Sequence, residues 1–570
     1  MKKFVYLLCS GAIVLIFASC ASKPMGALDP AYFTCNPNPL ESNGGKINAA
    51  ITGKFPEKYF DRKTVVTVTP VLKTSAGKEY RAASVSYQGE KVQGNNQQIS
   101  YKAGGSYSQN ASFSYQPDMA KSELYLEFQA ARNDKTYTIP AVKVADGVIA
   151  TETLASADGS NLQATVIGDK FQRVIQQKQD ANIMFLIQQS SIRSGEAKKE
   201  EMVNLINRIQ QAKNDQNANV SGLDLNSYAS PDGGVKLNTT LAEQREKNTI
   251  DYINKQMKKL KTSVDVNSNF TAQDWEGFQQ LMSSSNIQDK DVILRVLSMY
   301  PDPEQREREI KNMSSAYRQI AEEVLPQLRR SKMSLTVDVI GKTDFQIDSL
   351  AQTNPARLSV EELLYAATLT NDLAQKTAVY QKVINLFPND SRGYNNSGVI
   401  KFNAGNYSDA ASLFGKALSI DPKSPEANYN TGITALAQGD ASKAQQFLGN
   451  AGNIGGDKIN QALGIISLQQ GDYAKAKSAF GNAATNNAAL SQILTKDYSA
   501  ARNTLSNVKN PNGATNYLAA VVGARTNDRQ LVYDSIRKAV ATDKSWATKA
   551  LTDAEFAKYL TDSAFMNSLK

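Results

Sequence analysis

A repeat with a period near 34 residues constrains the fold of this 570-residue chain more than any other feature. Gly398 and Gly432 are 34 residues apart, and Gly464 follows 32 residues later. Glycine between helices and alanine where helices cross predict stacked helix pairs, each of which buries its apolar face only against its neighbours. The other positions that recur with this spacing are Gly405, Gly439 and Gly471; Ala410, Ala444 and Ala476; and Phe414, Leu448 and Phe480.

The repeat resembles the tetratricopeptide (TPR) family, which has this period and these small residues. Its clearest copy runs from Ser391 to Pro422, SRGYNNSGVIKFNAGNYSDAASLFGKALSIDP. Because weaker copies flank it, we expect an α-solenoid of about five or six units over 359–545, closed by an apolar helical cap at 546–570. A groove of this kind suits a segment or helix of a protein partner.

The N-terminus has the pattern of an export signal. Lys2 and Lys3 precede an apolar run that is too short to span a bilayer comfortably, and Ala18-Ser19-Cys20 follows. This order predicts a signal peptide at 1–19 and resembles a bacterial lipoprotein lipobox, with Phe17 where leucine is usual. The resemblance implies cleavage before Cys20, diacylglycerol on its thiol and acylation (palmitate) of its amine, which together hold a protein to the membrane. An ordinary signal peptide with an incidental cysteine is the alternative.

The residues after Cys20 bear on location. The tether at 20–29 begins Ala21-Ser22-Lys23-Pro24, without the acidic run that marks surface-exported lipoproteins of the Bacteroides group. We therefore expect a lipid anchor in the outer membrane with the protein facing the periplasm. Cys9 leaves with the signal peptide and Cys20 is acylated, so Cys35 has no partner for an internal disulfide.

Residues 30–160 have a strand pattern. Three segments alternate or are β-branched, and glycine-rich turn signals such as Asn43-Gly44-Gly45 separate them. Strands at this spacing predict a small β-sandwich, immunoglobulin-like, that serves as a folded spacer. The three segments are Val65–Thr69, Glu123–Phe128 and Thr136–Ile139.

Residues 165–346 change character. Apolar strands alternate with helix-periodic segments, and a helical stretch at 274–329 interrupts them. Without that insertion the order is β-α-β-α-β-β, which predicts an α/β sandwich. The polar, proline-interrupted residues 347–358 predict a linker before the repeats. With the strand-rich region before it and the repeats after it, this region makes the chain multidomain.

The stretch SYASPDGGVKLNTTLAEQREKNTIDYI within this region is similar to the core motif of OmpA-like domains. That family holds the diaminopimelate of peptidoglycan with an aspartate and an arginine. Arg245 is at the arginine position, where a guanidinium could grip a carboxylate, but Ala229 occupies the aspartate position. Asp232, three residues on, is a candidate substitute, and a retained fold with a lost ligand site is the alternative. The positions that match the motif are Gly233, Asn238, Leu241 and Arg245.

The resemblance makes Arg245, Asp232 and Asn238 the candidate peptidoglycan-binding residues. The form of the motif and the insertion that begins DWEGF also resemble OmpA-like domains of Bacteroides-type outer-membrane proteins. This second resemblance supports the prediction of an outer-membrane location more than the prediction of a peptidoglycan ligand.

Composition removes several classes of chemistry. The chain contains no histidine, so Ser-His-Asp, Cys-His and HExxH sites are excluded. Three cysteines do not supply a four-thiolate cluster. The net charge of +9 is spread along the chain in the manner of solvated faces, so we expect no nucleic-acid partner. With the classes of site above removed, we also expect no cofactor.

Three functions can be ranked on these observations. The first is a non-enzymatic outer-membrane lipoprotein that acts as a periplasmic scaffold, with the TPR groove binding a protein partner of the envelope. The second is a peptidoglycan anchor acting through Arg245. The third is a wall hydrolase using Asp224, Asp232 and Glu243, but nothing in the sequence orders these as an acid/base pair at glycosidase distance.

Overall fold

The computed structural model describes residues 25–159, 161–312, 314–452 and 454–570. The chain divides into two units, the first comprising the residues up to Ile167 together with Tyr380–Lys570, and the second Gly168–Val379. The predicted signal peptide at 1–19 and the predicted lipidation site Cys20 lie outside the described residues. Within those residues, none of the helices has the length and apolarity needed to cross a bilayer.

In its described residues, from Met25 onward, the first unit begins with eleven strands in two sheets. In one sheet the order is β1-β3-β2-β11 with β8 on β3, and in the other it is β10-β9-β4-β6-β7 with β5 on β4. The bounds are β1 (Phe33–Asn36), β2 (Leu40–Asn43), β3 (Lys46–Phe55), β4 (Val65–Thr74), β5 (Glu79–Arg81), β6 (Val85–Gly89), β7 (Gln97–Ile99), β8 (Gly105–Ser114), β9 (Ser122–Arg132), β10 (Lys135–Asp146) and β11 (Val148–Ile149).

The two sheets share one core, so the predicted β-rich region is confirmed. Alternate residues of the long strands point into this core. Phe33 of one sheet packs there against Phe128 of the other, with their ring centroids 6.0 Å apart. The predicted tether at 20–29 is wrong in its second half. Met25 and Leu28 are buried in the sandwich core, because both side chains are apolar and the neighbouring main chain is bound, with Tyr59 Oη donating to Gly26 O at 2.6 Å.

The second unit contains a four-stranded sheet in the order β12-β15-β13-β14. Helices α1 and α2 share an apolar core with it, and the element order is the predicted β-α-β-α-β-β once the inserted α3–α7 are set aside. The insertion has a core of its own. The bounds are β12 (Val174–Met184), α1 (Glu200–Asn214), β13 (Ala218–Tyr228), α2 (Val235–Leu260), β14 (Val266–Thr271), α3 (Trp275–Ser284), α4 (Lys290–Ser298), α5 (Pro303–Asn312), α6 (Ser314–Glu323), α7 (Leu325–Leu328) and β15 (Arg330–Ile340).

The predicted linker at 347–358 is wrong. It lies largely within helix α8 (Asp344–Thr353), whose N-terminus carries a capping box formed by Thr343 and Gln346. Ile347 and Ala351 are buried, so two apolar side chains one turn apart hold a mostly polar segment in the fold. Helix α9 (Val360–Ala366) follows, and α10 (Leu373–Leu386) contains the boundary between the units.

Helix pairs fill the remainder of the first unit, and their geometry explains the period. A Cβ at Gly398 would lie 2.6 Å from the Phe414 ring, one at Gly432 would lie 2.9 Å from the Leu448 side chain, and one at Gly464 would lie 2.6 Å from the Phe480 ring. Glycine therefore recurs where the helices of one pair touch. The helices are α11 (Ser391–Asn403), α12 (Tyr407–Ile420), α13 (Pro425–Ala437), α14 (Ala441–Asn450), α15 (Gly456–Gln469), α16 (Tyr473–Phe480), α17 (Asn486–Leu494), α18 (Tyr498–Ser506), α19 (Gly513–Thr526), α20 (Arg529–Thr542), α21 (Ser545–Thr552) and α22 (Ser563–Ser568).

Candidate functional site

Residues 155–167, which we call the strap, connect the β-sandwich to the second unit without forming a helix or strand in their described part. The strap contacts the first helices of four successive pairs, α11, α13, α15 and α17. We call the face of these helices that contacts the strap the groove. Thr165 and Ile167 face the groove, whereas Val166 between them is 50% exposed, which is the alternation of an extended chain.

Three asparagines of the groove each bind both main-chain groups of one strap residue. The Ile167 N–H donates to Asn396 Oδ1 at 2.8 Å, and Asn396 Nδ2 donates back to Ile167 O at 2.9 Å. Asn430 forms the same pair with Thr165 at 2.8 and 2.7 Å, and Asn487 forms it with Ser156 at 3.0 and 2.7 Å. All three asparagines are buried. These contacts hold polypeptide through its main chain and do not select a side chain.

The asparagines occupy one position of the repeat. Each lies nine residues before a residue with positive φ in the turn between paired helices: Gly405 for Asn396, Gly439 for Asn430 and Lys496 for Asn487. The equivalent position before Gly471 is Ala462, which has no side-chain amide. The sequence contains this periodicity, but nothing in the sequence alone predicts a role for these residues. Asparagine in a helix usually indicates a solvated or capping position.

Other groove residues add contacts to the strap. Asn395 Nδ2 donates to Thr165 O at 3.1 Å, and Asn430 Nδ2 donates to Asn395 Oδ1 at 2.9 Å. Lys458 Nζ donates to Thr165 Oγ1 at 2.8 Å. Leu162 is 1% exposed and belongs to the core of the helical array. The strap thus has one deeply buried side chain and a series of main-chain attachments.

The chain just before the strap fastens the β-sandwich to the array. Glu152 accepts hydrogen bonds from Ser42 Oγ at 2.5 Å and from Tyr473 Oη at 2.6 Å. Thr151 Oγ1 donates to Glu555 at 2.5 Å, and Arg525 pairs with the same carboxylate at 2.6 Å. Sandwich and repeats therefore belong to one unit.

Arg245 of the candidate wall site is committed to main-chain oxygens. Its Nε donates to Gln189 O at 3.0 Å, its Nη1 to Tyr228 O at 2.8 Å and its Nη2 to Leu186 O at 3.3 Å. The side chain is 1% exposed. Burial and the neighbouring Arg329 guanidinium lower the pKa of Arg245 to about 10.

Asp232 and Asn238 are likewise engaged within the fold. Asp232 accepts hydrogen bonds from Ser230 Oγ and from Arg329 Nη2, the latter at 3.2 Å. Asn238 Nδ2 donates to Ser230 O and Gly233 O, both at 2.8 Å, which holds the turn before α2. Arg329, at the end of the insertion, was not among the predicted site residues, since it lies far along the chain from the motif.

The cavity beside these residues holds about 60 Å³, which is room for about two waters. Ala229, Asp232, Asn238, Arg245 and Arg329 contribute to its lining. Asp224, considered above with Asp232 for hydrolysis, lines a different cavity and accepts a hydrogen bond from Asn267. The structure does not bring these two carboxylates into one cavity.

Comparison with known protein families supports the prediction of TPR repeats. The tetratricopeptide repeat family TPR_19 matches residues 402–463, so the chain contains TPR repeats. No curated protein sequence matches the chain.

Several solved structures are similar to parts of this chain at low identity. A tetratricopeptide repeat protein from Parabacteroides merdae is 12% identical, with a TM-score of 0.29 over 40% of this chain and 91% of that chain. Pseudomonas aeruginosa PilF is 16% identical, with a TM-score of 0.27 over 40% and 98%. YrrB, described as a TPR protein with an unusual peptide-binding site, is 17% identical, with a TM-score of 0.23 over 36% and 98%.

Proposed function

We propose that this protein is a non-enzymatic outer-membrane lipoprotein that faces the periplasm and acts as an adaptor in an envelope assembly. Acyl chains on Cys20 hold the chain at the membrane, and the repeat array binds a segment of an envelope protein. The observation that carries this proposal is the groove, where buried asparagines bind polypeptide main chain at the period of the repeat. TPR arrays bury their own apolar faces and leave such a surface for a partner.

The proposal is tested by crosslinking in cells followed by isolation of the outer membrane. Wild-type chain should be recovered in the membrane with a crosslinked partner. Cys20→Ser removes the acylated thiol, so this variant should move to the soluble periplasmic fraction or accumulate uncleaved. Gly432→Pro breaks α13 at a cost of about 3 kcal/mol or more, so it should keep membrane fractionation and lose the partner. Membrane recovery of Cys20→Ser equal to wild type would refute the lipid anchor.

The alternative function, a peptidoglycan anchor, has less support from the geometry. The Arg245 donors are directed at carbonyl oxygens, and Asp232 is paired with Arg329. Ala229 offers no carboxylate to the ammonium of diaminopimelate, and an unpaired buried charge costs several kcal/mol. We expect the wild-type chain not to sediment with isolated sacculi. Strong sedimentation that Arg245→Ala abolishes in a folded chain would favour the anchor instead.

A further inference from the structure

The strap has the features of a bound peptide. It is held by main-chain hydrogen bonds at Ser156, Thr165 and Ile167, and Leu162 alone among its described residues is fully buried. Within a pair the helices touch one another directly, as where Gly398 meets the Phe414 ring and Gly464 meets the Phe480 ring, and Leu162 of the strap packs into the same core. These helix-to-helix contacts do not pass through the strap, whereas the groove asparagines need another partner for their amides when the strap leaves.

The strap also defines the chemistry that the groove accepts. Ala155, Ser156, Ala157 and Ala164 of the strap are small, and Leu162 supplies one apolar anchor. Three residues later the Thr165 hydroxyl meets Lys458, and the main chain of Thr165 and Ile167 meets Asn430 and Asn396. A ligand of this kind is a polypeptide segment with small residues, a leucine-sized anchor and an extended stretch after it.

Tethering makes the strap a strong competitor. A segment joined at both ends to folded structure has an effective concentration on the order of millimolar at its own site. A free segment of the same chemistry must exceed that value to displace the strap. The site is thus filled in the intact chain and becomes available when the strap is weakened.

We propose that the groove is a main-chain-reading peptide site whose resident ligand is the chain's own strap, and that an extended, small-residue segment of the partner protein binds there by displacing it. This inference rests on the adaptor function proposed above and adds the class of ligand and its regulation. The partner contributes a segment with an apolar anchor. The effective concentration of the strap sets the concentration that this segment must exceed to bind.

The test uses the full-length chain and a fluorescein-labelled synthetic peptide with the sequence of residues 155–168. Leu162→Asp combined with Thr165→Pro weakens the strap, because it places a charge in the apolar site and removes the N–H bound by Asn430. This variant should bind the peptide roughly tenfold more tightly than wild type in fluorescence anisotropy. Far-UV circular dichroism checks that the helices are intact.

Adding Asn430→Ala to the strap variant should abolish the gain. Asn403→Ala is the matched control, since Asn403 is exposed on α11, which also carries Asn396, and it should preserve the gain. A peptide carrying the Leu162→Asp change should not bind. If the folded strap variant binds the peptide no better than wild type, or if Asn430→Ala leaves the gain intact, the inference is refuted.

The two proposals fail separately. Partner recovery by wild-type chain in membranes, together with no peptide binding by the strap variant, leaves the adaptor function standing and overturns the peptide site. Tight peptide binding by the strap variant supports the site even where membrane fractionation of Cys20→Ser refutes the anchor.

Discussion

Arg245 shows how much a single residue's role depends on its neighbours. The resemblance of the motif predicts a carboxylate ligand for this guanidinium, but here three carbonyl oxygens receive its donors. Its cation also lies 5.1 Å from the centroid of the Phe185 ring. The side chain joins the end of β13 to the loop after β12, a structural task that needs no ligand.

We expect Arg245→Ala to destabilise the second unit by about 3 kcal/mol or more, because it leaves three main-chain carbonyls without their donor and opens a cavity. Arg295→Ala is the control, since Arg295 is exposed on α4 of the same unit. Denaturant unfolding followed by circular dichroism measures both. A loss for Arg245→Ala no larger than that for Arg295→Ala would show that the carbonyl contacts contribute nothing.

At the scale of the element, helix pairs depend on the space left by glycine. In α11 a side chain at Gly398 would meet the ring of Phe414 at 2.6 Å, whereas in α12 a side chain at Gly415 would meet nothing within 4 Å. The two positions differ in packing and share a helical backbone. Comparing substitutions at Gly398 and Gly415 therefore distinguishes the effect of side-chain packing from the effect of helix propensity.

Alanine should have opposite effects at these two glycines. Gly415→Ala should stabilise the protein by about 0.5–1 kcal/mol, because alanine loses less backbone entropy in a helix. Gly398→Ala should destabilise it by about 1–3 kcal/mol, because the Phe414 ring must move in a packed core. Thermal unfolding of the two variants measures the sign of each change. Stabilisation by both would contradict the close packing of α11 on α12.

At the scale of the molecule, the β-sandwich and the repeat array of the first unit meet at two glycines. A Cβ at Gly44, in the hairpin turn between β2 and β3, would lie 2.8 Å from the carbonyl carbon of Gln470. Gly471 is confined from the other side, less tightly, with the Gly44 nitrogen 3.1 Å from its Cβ position. Gly45, beside Gly44, has open space around it.

Gly44→Ala and Gly45→Ala should therefore differ. Both residues have positive φ, 58° and 74°, so each change carries a backbone cost of about 1–2 kcal/mol. Only the Cβ of Gly44→Ala also clashes with Gln470 and pushes the β-sandwich away from the array. This variant should therefore lose more free energy of unfolding than Gly45→Ala and should expose the strap to protease. Limited proteolysis and unfolding midpoints measure this difference. Equal losses for the two variants would show that the contact does not hold the unit together.

The sequence alone determined the helix pairs, the strand-rich region and the β-α-β-α-β-β order, because these depend on local periodicity and on apolar faces. The tertiary structure alone decided the position of the strap, the role of Arg245 and the union of sandwich and array. Asn396 and Ile167 are 229 residues apart, and Asn487 and Ser156 are 331 apart. In the sequence, a buried asparagine cannot be told from a surface asparagine, because the main-chain groups that bind its amide lie far away along the chain. Only tertiary packing brings the strap main chain to these asparagines.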